Sequence, residues 1–258
     1  MKFLQRFSRR TPAAAAPFTA ALAPSQPFYA IGDVHGCEAL LTRLLEKIEA
    51  EITASGAPAP PIVFVGDYID RGDHSAVVLR WLHALQQDPD LNIVCLMGNH
   101  EDMMIKFLRN PEKHGSRWLR YGGLQAISSF GVRGLTERST GADLRDARDE
   151  LRDTMGDDLN TWLTTLPTRW QSGNVAVVHA GADPDIAIDA QETRVLKWGH
   201  SSFRHKPRQD GTWVVHGHTI VEQANATDGR IAIDTGAYAT GRLTAAHVSK
   251  DGVRFIST

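Results

Sequence analysis

The sequence predicts an α/β domain, and three observations carry that reading. Short apolar runs alternate with stretches of helical periodicity. Most of the runs end in Asp, Asn or His beside a Gly or Ala. The chain has 258 residues, 42% of them hydrophobic, which is enough to bury a substantial core.

The elements follow in order. Residues 28–31 form the first apolar run and lead into Gly32-Asp33. Residues 38–50 place Leu40, Leu41, Leu44, Leu45 and Ile48 at helical spacing. A Pro/Gly/Ala linker at 55–61 precedes a second run, 62–65, which ends in Gly66-Asp67. Residues 75–87 read as an amphipathic helix with Val77, Val78, Trp81, Leu82 and Leu85 on one side. Later runs at 93–97, 175–178, 213–215 and 231–233 end in Gly98-Asn99-His100, His179-Ala180-Gly181, His216-Gly217-His218 and Asp234-Thr235-Gly236. Between the third and fourth lies a mostly helical insert, about 101–171, with Trp118, Tyr121 and Trp162. It is either a partial cap over a site, the reading preferred here, or the helical layer of the same domain.

Composition excludes several classes. With 28 Lys+Arg against 30 Asp+Glu, the net charge of -2 gives no support for a general nucleic-acid binder. Residues 1–27 carry Lys2, Arg6, Arg9 and Arg10 and no acid, so the remainder carries -6. Their prolines and alanines predict a flexible arm ahead of a domain at 28–258. No apolar stretch is long enough to span a membrane. Cys37 and Cys95 form no CxxC pair, consistent with a reducing compartment and a cytoplasmic location.

Polar residues delivered at strand ends, beside glycines that admit a ligand, describe one assembled site. Asp33 and His35 are two apart, so extended backbone turns both to one side. Asp67 is placed to bridge two ions through its two oxygens. Asn99, His179 and His218 complete a mixed oxygen and nitrogen set that suits Mn, Fe, Zn or Co. Without cations, Asp33, Asp67 and Asp70 would crowd together unpaired, which is costly in a buried site.

Gly-Asp-Val-His-Gly at 32–36, Gly-Asp-Tyr-Ile-Asp-Arg-Gly at 66–72 and Gly-Asn-His-Glu at 98–101 resemble the signature of the phosphoprotein phosphatase family of calcineurin-like metallophosphoesterases. His-Ala-Gly at 179–181, Gly-His-Thr at 217–219 and Ile-Asp-Thr-Gly-Ala-Tyr at 233–238 extend the resemblance, nearest to bacterial serine/threonine protein phosphatases. It implies a four-layer α-β-β-α sandwich with mixed sheets and two divalent metals, Mn first and Fe or Zn as alternatives. By similarity Asp33 and His35 hold the first ion, Asp67 bridges, and Asn99, His179 and His218 hold the second. Ile220 stands where the wider superfamily often has a second His, so His216 is expected to be supporting rather than ligating.

The implied reaction is hydrolysis by direct attack of a bridging hydroxide. Arg71 and Asn99 would bind phosphate, and His100, held by Asp70, would be the general acid. Relatives carry a second phosphate-binding arginine in a Trp-x-Arg context, where this chain reads Trp198-Gly199-His200. His200 takes that place, with Lys197 or Arg204 as substitutes. The presence of Asp70 favours a phosphoserine/phosphothreonine protein substrate, phosphotyrosine included. A symmetrical dinucleoside tetraphosphate or other small phosphoester is the alternative, and a non-catalytic metal-binding regulator a third reading.

Overall fold

A computed structural model of the chain describes residues 16–258. Two five-stranded mixed sheets stack face to face. In the first, β1 (Phe28–Ile31), β2 (Ile62–Phe64) and β3 (Ile93–Cys95) run parallel, and β9 (Thr244–Ser249) and β10 (Gly252–Ser257) add antiparallel to the β1 edge. In the second, β5 (Val175–Val178), β6 (Trp213–His216) and β8 (Arg230–Ala232) run parallel. There β4 (Arg169–Ser172) and β7 (Asn225–Thr227) close the edges antiparallel.

Side-chain alternation along the strands divides the core. Phe28, Ala30, Val63 and Val65 point from the first sheet toward Val175, Val177, Val215 and Ile231 of the second. Tyr29, Ile31 and Phe64 point the other way, into a layer of helices. That layer holds α1 (Glu38–Ser55), α2 (Ser75–Gln87), α3 (Asn99–Arg109), α4 (Pro111–Trp118), α5 (Leu124–Ser129), α6 (Gly141–Met155) and α7 (Asp157–Thr165). The outer face of the second sheet is covered thinly, by Ile188, by Leu196 of the short α8 (Thr193–Trp198) and by Phe203. The result is the four-layer sandwich.

Several expectations are refined. Helix α1 runs five residues past 50, to a left-handed cap at Gly56. Helix α2 buries Val78, Leu79 and Leu82, while Val77 is 48% exposed, so its inward face is rotated from the predicted one. The insert's helices share one buried cluster with α1 and α2 through Trp118, Leu144, Leu151 and Leu163. Most of the insert is therefore helical layer, and it reaches the strand ends through Glu101, Trp118 and the turn at 119–123.

Residues 16–27 depart from the expected flexible arm, whose residues 1–15 lie outside the described ones. They run along the second sheet. The Asn174 side chain accepts from the Ala23 N–H at 2.7 Å and donates to the Ala21 carbonyl at 2.9 Å. Phe18 sets its edge on Trp213, with ring centroids 5.1 Å apart, and Leu22 packs on the inter-sheet core. Prolines and alanines prefer extended backbone but do not forbid docking when side-chain partners are supplied. Among the described residues no helix is long and apolar enough to cross a membrane.

Asn174→Ala removes the two exposed bonds to Ala21 and Ala23 and a partly buried one to the Gly211 carbonyl, and should lower stability by about 1 kcal/mol. Urea unfolding measures this, and an unchanged midpoint would contradict the docking of residues 16–27.

Candidate active site

The carboxyl ends of six parallel strands, three from each sheet, converge at one end of the sandwich. Asp33 and His35 follow β1, Asp67 follows β2, and Asn99 and His100 open α3 after β3. His179 follows β5, His218 follows β6, and Asp234 follows β8. Two opposed sheets thus deliver residues far apart in sequence to one focus.

Asp67 is at that focus and 2% exposed. Its Oδ2 lies 3.7 Å from His35 Nε2, 3.8 Å from His100 Nε2 and 3.3 Å from His179 Nε2. Two groups of metal-capable donors share it: Asp67 with His35 and His100, and Asp67 with His179 and His218. Its other oxygen accepts the His100 backbone N–H at 3.0 Å. Asn99 Oδ1 is 2.8 Å from His179 Nε2, and the His218 N–H donates to Asp33 Oδ2 at 2.9 Å.

The backbone is bent to make this focus. Among the described residues, six non-glycine positions have positive φ, and five are His35, Asp67, Asp70, Arg71 and His218. Each such residue costs about 1–3 kcal/mol, and strain of this kind collects at functional sites. Two glycines provide close approach. A Cβ on Gly98 would sit 2.2 Å from Asp67 Oδ1, and one on Gly217 would sit 1.9 Å from Asp33 Oδ1.

Glu101 locks two of these loops together. Its buried carboxylate accepts the N–H groups of Asp67 and Tyr68, both at 2.8 Å, and of Gly98 at 3.0 Å. Burial and the Asp67 charge push Glu101 up to about 7.

The electrostatics are those of a crowded carboxylate site. Burial, with Asp234 and Asp67 nearby, pushes the Asp33 carboxyl well above its usual range. Burial also raises Asp67, but the imidazoles of His179, His100 and His35 outweigh it and hold the carboxyl well below. Burial lowers His35 to about 3 and, with His179, lowers His218 to about 4. For His100, burial is overcome by the Asp67 charge and the Asp70 hydrogen bond, which raise it to about 9.

The donors fit cations on a direct structural observation. Asp33 Oδ1 is buried and has no hydrogen-bond partner. Unpartnered buried polar atoms of this kind are rare. The His35 Nδ1–H donates to the Ile69 carbonyl at 2.8 Å, which leaves the Nε2 lone pair facing Asp67. Imidazole, carboxylate and amide oxygen together suit a first-row divalent ion.

A second group orients the first. The His100 Nδ1–H donates to Asp70 Oδ2 at 2.5 Å. Trp118 of the insert donates its indole N–H to the same carboxylate, at 2.9 and 3.0 Å. Arg71 donates to the Tyr238 hydroxyl at 2.7 Å and lies over its ring, 4.6 Å from the centroid. The Arg71 N–H donates to the Gly122 carbonyl of the insert at 3.2 Å. A cavity of about 280 Å³ opens onto this cluster, with Tyr121, Trp198, Ile220 and Tyr238 at its walls.

Sequence reading and structure part at His200. Its imidazole lies 3.6 Å from Asp183 and is no wall of the cavity, so it does not stand in for the second arginine. A histidine side chain is shorter than arginine, and this one is held by its own loop. Lys197 reaches Asp102 at 2.6 Å instead, and Arg204 is exposed. His216 packs on Phe203 and donates to the Gly217 carbonyl at 3.0 Å, away from Asp67. The structure adds Trp118, Tyr121, Glu101 and Tyr238 to the site. Glu101 and Tyr238 end the motifs at 98–101 and 233–238, whereas Trp118 and Tyr121 carry no local signal.

The calcineurin-like phosphoesterase family profile matches residues 26–222. The asymmetrical bis(5'-nucleosyl)-tetraphosphatase PrpE of Oceanobacillus iheyensis is 27% identical over 235 residues, covering 83% of this chain and 86% of the relative. A symmetrical bis(5'-nucleosyl)-tetraphosphatase of Janthinobacterium sp. is 31% identical over 178 residues, covering 66% of this chain and 51% of the relative. A solved structure provisionally described as a diadenosine tetraphosphatase aligns with a TM-score of 0.60 at 20% identity, over 93% of this chain and 98% of that one. A cold-active protein-tyrosine phosphatase of Shewanella aligns at 0.56 and 17% identity, over 95% and 83%. These structural likenesses carry the fold alone.

Glu101→Ala should leave three buried N–H groups without an acceptor and lower stability by at least about 3 kcal/mol. Chemical denaturation measures this, and a loss under about 1 kcal/mol would contradict the role given to Glu101.

Proposed function

The chain belongs to the calcineurin-like phosphoesterase family of metal-dependent hydrolases, and from that premise we propose that it cleaves the phosphoanhydride chain of a dinucleoside tetraphosphate. The observation that carries the reading is the Asp67-centred cluster with Arg71 at its mouth. The substrate class is supported by the tetraphosphatase relatives, which match over most of both chains. The protein-phosphatase expectation has less support, since the serine/threonine-protein phosphatase BSL2 of Arabidopsis thaliana matches over only 32% of this chain and 8% of its own.

Asp33, His35 and Asp67 are the residues proposed to hold one divalent ion, and Asp67, Asn99, His179 and His218 the other. When bound, such ions supply positive charge for the phosphoryl oxygens and lower the pKa of water from 15.7 to about 7. Mn is the proposed occupant, with Fe or Zn as alternatives. Asn99 and the Arg71 guanidinium donate to the non-bridging oxygens of the phosphoryl group. Tyr238 sets the direction of Arg71 by holding its Nη1. His100 presents Nε2 toward the site and carries the proton that the leaving oxygen takes, while Asp70 and Trp118 fix the ring.

The Asp70–His100 pair also favours a second reading. Phosphate is a good leaving group, whereas the alkoxide of serine or threonine needs a donated proton, so the pair would serve a phosphoprotein substrate more. Both readings share one experiment. Purified protein with Mn should hydrolyse diadenosine tetraphosphate with a kcat/KM at least about tenfold above that for phosphoserine or phosphothreonine peptides. The reverse order overturns the substrate assignment, and no turnover of either overturns the reaction class.

Variants test the proton donor. His100→Asn should lower kcat by about 10² to 10⁴ on a phosphoserine or phosphothreonine peptide, whose leaving alkoxide takes the proton, and by less on diadenosine tetraphosphate. Trp118→Phe should lower it less, while the KM for p-nitrophenyl phosphate changes little. Full activity of His100→Asn would remove His100 from the mechanism.

A further inference from the structure

Next to the site is a second cavity of about 230 Å³, and Trp198 is a wall of both. Its other walls are strongly basic: Lys106, Arg117, Arg194 and Lys197, against the single carboxylate of Asp102. Asp102 is already committed. It accepts from Lys106 and Lys197, each at 2.6 Å, and from the Trp198 indole N–H at 3.1 Å. The arginines are not neutralised: among the described residues, neither Arg117 nor Arg194 has a carboxylate partner. Arg117 lies over Trp198, 4.9 Å from the ring centroid, and 5.9 Å from that of Tyr121 at the mouth of the neighbouring site.

We propose that this cavity is a second anion subsite, which takes the phosphates of a polyphosphate chain lying beyond the one held at Arg71. The inference rests on the tetraphosphatase reading and gives it a structural cause. The chain lacks the arginine expected after Trp198, and the sequence offers His200 in its place, but His200 faces Asp183. The positive charge has instead moved behind Trp198, away from the scissile phosphorus. A single phosphate bound at Arg71 gains nothing from charge placed there, whereas a chain of phosphates reaches it. Arginine forks suit phosphate oxygens bidentately, and Arg117 over Trp198 has no carboxylate partner among the described residues to occupy its N–H groups. Asp102 pairs with both Lys106 and Lys197, which offsets the repulsion between the two cations and holds them at the wall. A poly-anion with closely spaced charges is thereby selected over orthophosphate or a monoester.

The test uses the Mn-loaded full chain and the variants Arg117→Gln, Arg194→Gln and their double. Inorganic tripolyphosphate and orthophosphate compete with p-nitrophenyl phosphate hydrolysis, and calorimetry measures tripolyphosphate binding directly. Each substitution should weaken tripolyphosphate by roughly tenfold, since a hydrogen bond to a charged group has about that effect. Orthophosphate inhibition and the KM for p-nitrophenyl phosphate should stay within about twofold. Arg117→Lys, which keeps charge but loses the fork, should recover part of the loss. The KM for diadenosine tetraphosphate should rise in parallel with tripolyphosphate inhibition.

Tripolyphosphate and orthophosphate weakening together, or neither weakening, overturns the subsite. If the wild type leaves diadenosine tetraphosphate uncut while tripolyphosphate binding still depends on Arg117 and Arg194, the proposed function fails and the subsite stands.

Discussion

A buried carboxylate surrounded by imidazoles and other carboxylates cannot be left uncompensated, and Asp67 is placed at the meeting point of two such donor groups. Much of the molecule serves that placement. Three parallel strands from each sheet end at it, five strained residues bend toward it, and Glu101 pins the loops that carry it. Asp33 pushed up and Asp67 held down are two outcomes of one crowding. Divalent cations would relieve both, and the unpartnered Asp33 Oδ1 is a donor that remains unused.

The helical layer contributes more than cover. Trp118 reaches out of the buried helix cluster to hold Asp70, and Gly122 accepts from the Arg71 backbone. The groups proposed to move a proton and to grip phosphate are thus fixed by a segment that supplies none of the central donors. Loosening the insert would disturb orientation before it disturbed the ions. Trp198 plays a similar double part at the opposite wall, where it separates the cluster from the basic cavity.

Much of the centre was legible because its signals are local. Asp33 and His35, or Asn99 and His100, are neighbours in sequence, and each stands just past an apolar run that the alternation identifies. The six parallel strands were readable for the same reason. The antiparallel strands were not. β9 contains Ala245 and Ala246 rather than a run of β-branched residues, β7 is exposed throughout, and β4 begins with Arg169 in what reads as the tail of the insert. Trp118, Glu101 and Tyr238 act on partners 48, 34 and 167 residues away, so no spacing rule pairs them, even though Glu101 and Tyr238 lie within quoted motifs. His200 shows the opposite limit, for a matching position did not bring its side chain into the site.

The central claim is that one carboxylate organises two cations. Calorimetric titration of Mn into the metal-free protein, repeated on Asp67→Asn, tests it most directly. The account predicts two ions per wild-type chain and loss of both tight sites in the variant. Two ions bound by Asp67→Asn with wild-type affinity would contradict it.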